Sequence, residues 1–362
     1  MVAQRRRGGE SLARARMKLV VIDADVLGRR RTGDETYIRN LLEELPALAE
    51  AAGLRIAAVT RRPDLVPKDV EAIELRGRSQ GLRMALTLPR LLRRLGASLC
   101  HTQYALPLRP PCPCVVTVHD LSFVRRRELM GWKDRFVFRA VVPRAVRRAA
   151  RVLTVSERTK RDLVELYNAS PERVDVTPNG VDRVFRALMP GEEAPRDTPR
   201  GRYALTVGAI QRRKNQLAAL EAAAAQDLPL VVVGPEKDPA LAAELRRRGA
   251  FVEGYVATER LAELYRGAAC LVHASLYEGF GLPVVEAMAS GTPVVALREP
   301  AVEEIANDAA VLVEEEQLAA GIGMALAERD RLVEAGLERA RQFSWRATAE
   351  RTLEVYRNVL AG

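Results

Sequence analysis

The chain has 362 residues, of which 48% are apolar and 29% charged, a composition that excludes a disordered or fibrous protein. This length suits about two domains of ~150 residues each. No apolar run approaches the ~18 residues that a membrane-spanning helix needs, so we expect a soluble or at most peripheral protein. The basic residues 5–7 are followed by Gly8, Gly9 and Glu10 where a secretory signal would be apolar, which predicts a cytoplasmic location.

The formal charge of +10 is unevenly distributed. Residues 17–185 carry a net charge of +11 and residues 186–362 one of −5. This asymmetry indicates a negative partner for the first half, such as an anionic membrane surface, an anionic acceptor or nucleic acid. Arginine-rich codon usage is the alternative explanation. The candidate membrane contacts are Arg90, Arg93, Arg94 and residues 125–127, and the leucines at 88, 91, 92 and 95 are expected in the core.

The four cysteines do not form a recognisable metal site. Cys112 and Cys114 flank a proline, and the second close pair of a zinc ribbon is absent, since Cys100 and Cys270 stand alone. We expect free thiols in a reducing compartment and no metal.

Short apolar runs alternate with amphipathic helices along most of the chain. Residues 1–16 are basic and without period, which predicts a disordered tail. The first half then predicts strands at 19–22, 54–59, 98–100, 115–118, 152–155 and 173–177, and helices at 35–51, 82–95, 134–150 and 157–167.

Residues 186–202 are rich in Pro, Gly and charge, which predicts a linker. The pattern then restarts with strands at 203–207, 229–233, 250–252, 270–273 and 293–296, helices at 215–224, 239–247, 258–266 and 283–289, and further helices to the end.

This alternation predicts an α/β fold of two doubly wound, Rossmann-like units that face each other across a cleft. Ligands of such sheets bind at the carboxyl ends of the strands, so functional residues should directly follow strands.

Two motifs follow strands of the first half. Gly33 lies between the first strand and a helix, where free backbone amides suit a phosphate or a sugar hydroxyl, although the three-glycine dinucleotide fingerprint is absent. His119 and Asp120 follow the strand at 115–118, and an imidazole there can hydrogen-bond a reacting sugar.

Two further motifs follow strands of the second half. Gly208 precedes Arg213 and Lys214, and cations at a helix start form an anion site that suits a diphosphate. Glu278 and Glu286 lie eight residues apart across a glycine-rich turn, where carboxylates can hold sugar hydroxyls and a ribose diol.

The Asp23-Ala24-Asp25 sequence has the Asp-x-Asp pattern of metal-dependent transferases. Its place after the first strand favours a structural or acceptor-side role instead.

With these motifs in this order, the chain resembles the retaining glycosyltransferases of family 4, a mannosyltransferase-like group with the two-domain GT-B fold. The resemblance rests on residues 117–123, 155–157, 178–182, the Arg213-Lys214-Asn215 loop and residues 278–286. It implies an acceptor-binding domain at 17–185 that is completed by a returning helix at 345–362, and a nucleotide-sugar-binding domain at 203–344.

The resemblance also implies roles for individual residues. His119 and Glu278 would contact the transferred sugar as catalytic residues, Arg213 and Lys214 would clamp the donor diphosphate without a metal or other cofactor, and Glu286 would hold the ribose. The donor would be a GDP- or UDP-sugar, and the acceptor a saccharide or a lipid-linked one. The implied donor-binding set is Gly33, Gly208, Arg213, Lys214, Tyr255, Val256, Gly279, Phe280, Gly281, Leu282 and Glu286.

Two positions depart from the family pattern: Arg212 stands where proline is frequent, and Arg298-Glu299 where a small polar pair is frequent. Two alternative functions remain open. One is a nucleotide-sugar 2-epimerase of the same shape, which would need more acids and histidines than the three His of this chain supply near the sugar. The other is a nucleic-acid-binding protein, which an aromatic content of 5% disfavours.

Overall fold

The computed structural model describes residues 17–29, 32–75, 79–126, 132–189, 191–192 and 202–362. The predicted basic tail at 1–16 and most of the predicted linker lie outside these residues. The boundaries of the domains therefore stay predictions.

The first half of the chain forms a seven-stranded parallel sheet, here the N-terminal sheet, in the order β3-β2-β1-β4-β5-β6-β7. The order reverses between β1 and β4, where Val20 lies opposite Leu99. Its strands are β1 Lys18–Asp23, β2 Leu54–Thr60, β3 Glu71–Glu74, β4 Leu99–Gln103, β5 Cys114–Val118, β6 Arg151–Thr154 and β7 Val174–Val176.

Helices cover both faces of this sheet. One face packs on α1 Thr32–Ala51, and the other on α2 Leu88–Leu95, α4 Trp132–Arg148 and α5 Glu157–Tyr167. Two helical segments directly precede α2, namely a short α-helical turn at Gln80–Leu82 and a π-helical segment at Arg83–Thr87. A short helix, α3 Ser122–Arg125, follows β5. Leu88, Leu91 and Leu92 are buried, as the pattern predicts.

The second half forms a six-stranded parallel sheet, here the C-terminal sheet, in the order β10-β9-β8-β11-β12-β13. Its strands are β8 Ala204–Val207, β9 Leu230–Val233, β10 Phe251–Gly254, β11 Cys270–His273, β12 Val294–Leu297 and β13 Val311–Val313. The helices around it are α6 Gln216–Ala224, α7 Pro239–Arg247, α8 Thr258–Gly267, α9 Leu282–Ala289, α10 Pro300–Ala306, α11 Leu318–Ala327 and α12 Arg329–Ala340.

The last helix, α13 Trp345–Ala361, returns to the N-terminal sheet. It packs along α1 and contributes Trp345, Leu353 and Tyr356 to the hydrophobic core between α1 and the N-terminal sheet. The predicted GT-B arrangement, with two doubly wound sheets and a helix that crosses back, is confirmed.

The pattern did not predict β3, α3 or β13. Strand β3 lies at the sheet edge and is largely exposed, with the sequence Glu-Ala-Ile-Glu, so it has no apolar run. Strand β13 has only three residues. Among the described helices, none combines the length and the apolar character needed to cross a bilayer.

Candidate functional site

The carboxyl edges of the two sheets face each other across a cleft of about 1090 Å³. Both catalytic candidates, His119 and Glu278, line this cleft, and so do all eleven predicted donor-binding residues. Parallel strands bring these segments together because each segment follows the carboxyl end of a strand. The placement agrees with the sequence analysis, while the role of each residue stays a prediction.

A charged cluster forms the floor of the cleft on the side of the C-terminal sheet. The Nζ atom of Lys214 donates to Oε1 of Glu278, and Nη1 of Arg213 lies 3.5 Å from Oε2 of the same carboxylate. Nε2 of His273, at the end of β11, lies 3.1 Å from Oε1. Gly208 allows this arrangement, since its Cβ position would lie 3.2 Å from Cε of Lys214.

The pKa directions in this cluster follow from burial and pairing. Burial lowers the pKa of Lys214, and Glu278 opposes this only in part. Burial alone would raise the pKa of Glu278, but Lys214, His273 and Arg213 together hold it well below its ordinary value. Two cations around one carboxylate leave this part of the cleft with a net positive charge, which suits an anionic ligand.

Glu286 lies one turn into α9 and is buried. The hydroxyl of Tyr265 donates to its Oε2 at 2.9 Å. Burial raises the pKa of Glu286 to about 7, and the Tyr265 bond opposes this only in part. Tyr265 comes from the interior of α8, so no strand-end pattern marks it in the sequence.

His119 approaches the cleft from the opposite side, at the end of β5. Its Nε2 lies 2.7 Å from Oε1 of Gln103, which ends the neighbouring strand β4. The Tyr37 ring packs edge-on against the imidazole at 4.8 Å between centroids. Burial lowers the pKa of His119, and the carboxylates of Asp34 and Asp120 oppose this only in part. The sequence does not mark Gln103, because the predicted strand ends at residue 100 whereas β4 continues to Gln103.

A second histidine supports this wall from behind. His101 hydrogen-bonds through Nε2 with the Thr117 hydroxyl at 2.7 Å and through Nδ1 with the hydroxyl of Tyr356 on α13. Burial lowers the pKa of His101 to about 3, so this histidine is neutral. The returning helix is thereby tied to the strands that present His119.

The two sides of the cleft touch at Gly279. A Cβ on this glycine would lie 2.0 Å from the backbone oxygen of His119. The Gly279 carbonyl accepts hydrogen bonds from the hydroxyls of Ser156 and Thr159, at the start of α5. Close to this contact, the Tyr277 hydroxyl donates to Oδ2 of Asp162 at 2.8 Å.

Asp23 and Asp25 are buried, and neither belongs to the residues that line the cleft. Arg83 pairs with Asp23, and Arg61 pairs with Asp25 at 2.7 Å. Arg29 also donates to Asp25. The arginine pairing supports the structural reading of the Asp-x-Asp sequence.

Three further predicted residues have positions that refine the sequence analysis. Asp120 does not pair with His119 but accepts from the backbone and hydroxyl of Ser122, at the start of α3. Arg212 is exposed at the cleft. Glu299 caps α10 by accepting from Ala301 N at 2.8 Å, and its side chain is buried.

Two family models match the chain. Residues 31–185 match Glycosyltransferase Family 4, and residues 193–343 match Glycosyl transferases group 1. The two matches divide the chain between the two sheets.

Curated relatives include an O-antigen chain mannosyltransferase B of Escherichia coli, 29% identical over 67% of this chain and 70% of that protein. An alpha-maltose-1-phosphate synthase of Mycolicibacterium smegmatis is 32% identical over 69% of this chain and 74% of that protein. A D-inositol 3-phosphate glycosyltransferase of Thermomonospora curvata is 30% identical over 94% and 90%. Some relatives are longer than the segment that matches this chain. In the D-inositol 3-phosphate glycosyltransferase of Acidothermus cellulolyticus, the matching segment spans 62% of the protein.

Solved structures share the fold. A sucrose-phosphate synthase from Thermosynechococcus elongatus has a TM-score of 0.75 and 23% identity, over 96% of this chain and 100% of that chain. WaaG, a glycosyltransferase involved in lipopolysaccharide biosynthesis, has a TM-score of 0.72 and 18% identity, over 93% and 99%. Anabaena HepE in complex with UDP-glucose has a TM-score of 0.71 and 15% identity, over 94% and 100%.

Proposed function

The chain belongs to glycosyltransferase family 4, and on that premise we propose that it is a retaining, metal-independent enzyme whose acceptor binds on the side of the N-terminal sheet. It is a hexosyltransferase that uses a nucleotide-sugar donor. The observation that carries the proposal is the opposed placement of His119 and the Lys214-Glu278-Arg213 cluster across one cleft.

The donor occupies the side of the C-terminal sheet. Arg213 and Lys214 stabilise the negative charge that develops on the diphosphate when its bond to the sugar breaks. A metal ion has this role in other transferases. Glu286 accepts hydrogen bonds from the ribose hydroxyls, and Glu278 accepts from the sugar. A GDP- or UDP-sugar is the proposed donor, because several relatives are named mannosyltransferases and one structural neighbour was solved with UDP-glucose.

The acceptor occupies the opposite side, beside Tyr104 and His119, and is a saccharide or a lipid-linked saccharide. His119 hydrogen-bonds the transferred sugar rather than the nucleotide, because it comes from the opposite sheet. The matched families and named relatives transfer sugars, which favours this reaction over 2-epimerisation and over nucleic-acid binding.

A panel of UDP- and GDP-sugars tests the proposal. We expect donor hydrolysis or transfer with one of them, at a rate that EDTA does not reduce. The anomeric configuration of the product, measured by NMR from the one-bond coupling between C1 and H1, should be the same as that of the donor. Turnover that disappears with EDTA and returns with Mg²⁺ would contradict metal independence. Inversion at the anomeric carbon would contradict retention.

His119→Ala separates the two sides of the cleft. Its turnover should fall at least tenfold, while calorimetry gives a nucleoside diphosphate affinity within a few-fold of the wild type. Lys214→Ala should instead weaken nucleotide binding by ~1.5–3 kcal/mol, the value of a charged hydrogen bond. Unchanged nucleotide affinity in Lys214→Ala would refute the donor assignment.

A further inference from the structure

The outer face of α2 and α4 exposes apolar side chains at one end. Leu82 and Leu86, one helical turn apart, are 55% and 42% exposed, and Val137 near the start of α4 is 56% exposed. Leu108 is 43% exposed and lies beside them, since its backbone amide donates to the Met84 carbonyl. Both helices pack on the same face of the N-terminal sheet.

The same two helices also expose arginines, most of them toward the C-terminal ends of the helices. Between residues 80 and 95, and again between 137 and 148, the sequence contains eight arginines and no acidic residue. Arg90, Arg93, Arg94, Arg139, Arg147 and Arg148 are exposed. On the opposite face of the sheet, α1 carries five acidic residues and one arginine. Helices α2 and α4 are therefore strongly positive over these residues, whereas α1 is negative.

From these observations we propose that the docking face, defined as the exposed side chains of residues 80–95 and 137–148 together with Leu108, binds an anionic lipid surface. Arginines are attracted to the anionic headgroups, and the leucines and valine insert among them. A nucleic acid is the weaker candidate, because the large apolar side chains exposed in the described part of this face are aliphatic and cannot stack on bases.

The docking face borders the cleft on its acceptor side. Phe138, next to Val137, lines the cleft and packs against Tyr104 at 5.1 Å between ring centroids. A bilayer bound there would lie beside the acceptor end of the cleft. This surface does not depend on the proposed reaction, since vesicle binding requires neither donor nor turnover.

The structure also revises the set of membrane contacts that the sequence suggests. Arg90, Arg93 and Arg94 are exposed and belong to the face. Arg125 does not, because it pairs with Asp162 and Glu165 of α5. Arg127 lies outside the described residues.

Flotation of the full chain with vesicles of phosphatidylglycerol and phosphatidylcholine, or of phosphatidylcholine alone, tests the proposal. We expect binding to the anionic vesicles only. This binding should fall at least tenfold between 50 and 500 mM salt, which lie below and above the ~0.1 M at which the Debye length is ~10 Å. The triple substitution Arg90→Gln, Arg93→Gln and Arg94→Gln should weaken binding on the order of a hundredfold, since each arginine contributes about fivefold. Leu82→Gln with Leu86→Gln should leave the salt dependence intact and weaken binding about fivefold or more.

Matched controls come from the C-terminal sheet. Arg246→Gln, Arg247→Gln and Arg248→Gln remove three adjacent arginines, and Phe251→Gln with Met324→Gln removes two exposed apolar side chains. Both controls should bind like the wild type. Equal binding by the docking-face and control variants, or by anionic and neutral vesicles, would overturn the proposal. Salt-dependent capture of a DNA duplex without vesicle binding would also overturn it, in favour of a nucleic acid.

Discussion

Glu286 is a buried carboxyl without a cationic partner among the contacts described above, and burial raises its pKa from the ordinary 4.5 to about 7. A group whose folded pKa is raised stabilises the protein fully below the unfolded pKa, and this contribution is lost as the pH rises through the folded value. The cost of ionising Glu286 should therefore grow between pH 5 and pH 8.

Glu286→Gln tests this sign. At pH 5 the variant and the wild type should have similar free energies of unfolding, whereas at pH 8.5 the variant should be more stable by up to about 3 kcal/mol. Urea denaturation at the two pH values measures the difference. The exposed Glu338→Gln on α12 is the control and should show no such trend. A variant that loses stability relative to the wild type as the pH rises would contradict the assignment.

Gln103 determines which nitrogen of His119 carries the proton. With the Gln103 amide oxygen facing Nε2 at 2.7 Å, Nε2 donates, and Nδ1 keeps its lone pair as an acceptor for a sugar hydroxyl. Gln103→Leu removes this acceptor and should produce a mixture of both neutral tautomers.

Nitrogen-15 NMR measures the tautomer directly, because the chain has only three histidines and His119→Ala assigns the resonance. In Gln103→Leu we expect turnover to fall on the order of tenfold with nucleotide affinity unchanged. A wild-type spectrum with the proton on Nδ1 would overturn this role for Gln103.

At the scale of elements, the start of α5 joins the two sheets. The carboxylate of Glu304, on α10, accepts from the backbone amides of Glu157 and Arg158 at 2.9 and 3.1 Å. These amides belong to the first turn of α5, where an anion satisfies free donors and the helix dipole. A helix of one half of the chain is therefore capped by a side chain of the other half.

Glu304→Ala should lower stability by about 1 kcal/mol through loss of this cap. Because the contact joins the two sheets, the variant should also show a larger radius of gyration by X-ray scattering. Glu303→Ala is a matched control on the same helix, since Glu303 pairs only with the exposed Arg298 in the contacts described. If Glu303→Ala were as destabilising as Glu304→Ala, the loss of stability could not be attributed to the loss of the cap.

The sequence predicts the elements that have an apolar run and the site residues that directly follow them. His119, Lys214 and Glu278 were found in this way, because each comes after a buried strand or its turn. The pairing of Lys214 with Glu278 was not predicted, since the two are 64 residues apart and meet only when β8 and β11 lie side by side. The contacts of Tyr265 with Glu286 and of Arg125 with Asp162 also depend on how the helices pack, which no local sequence pattern encodes.

At the scale of the whole molecule, the two halves of the chain approach each other tightly where Gly279 meets the backbone of His119. The donor-side residues Lys214 and Glu286 lie on one side of this contact, and His119 lies on the other. Gly279 lies so close to the His119 carbonyl that any side chain must push the two edges apart. Closure of such a cleft assembles the reacting groups and excludes water.

Gly279→Ala should therefore separate binding from turnover. Nucleoside diphosphate affinity should stay within a few-fold of the wild type, because the donor-side residues remain in place, while transfer falls by at least a hundredfold, since a displacement on the order of 1 Å carries that cost. Gly81→Ala is the control, because a Cβ there meets no atom within 4 Å. Calorimetry with the nucleotide, a transfer assay and X-ray scattering should show intact binding, lost turnover and a more open shape together. Full transfer activity in Gly279→Ala would mean that the contact between His119 and Gly279 is not needed for the reaction.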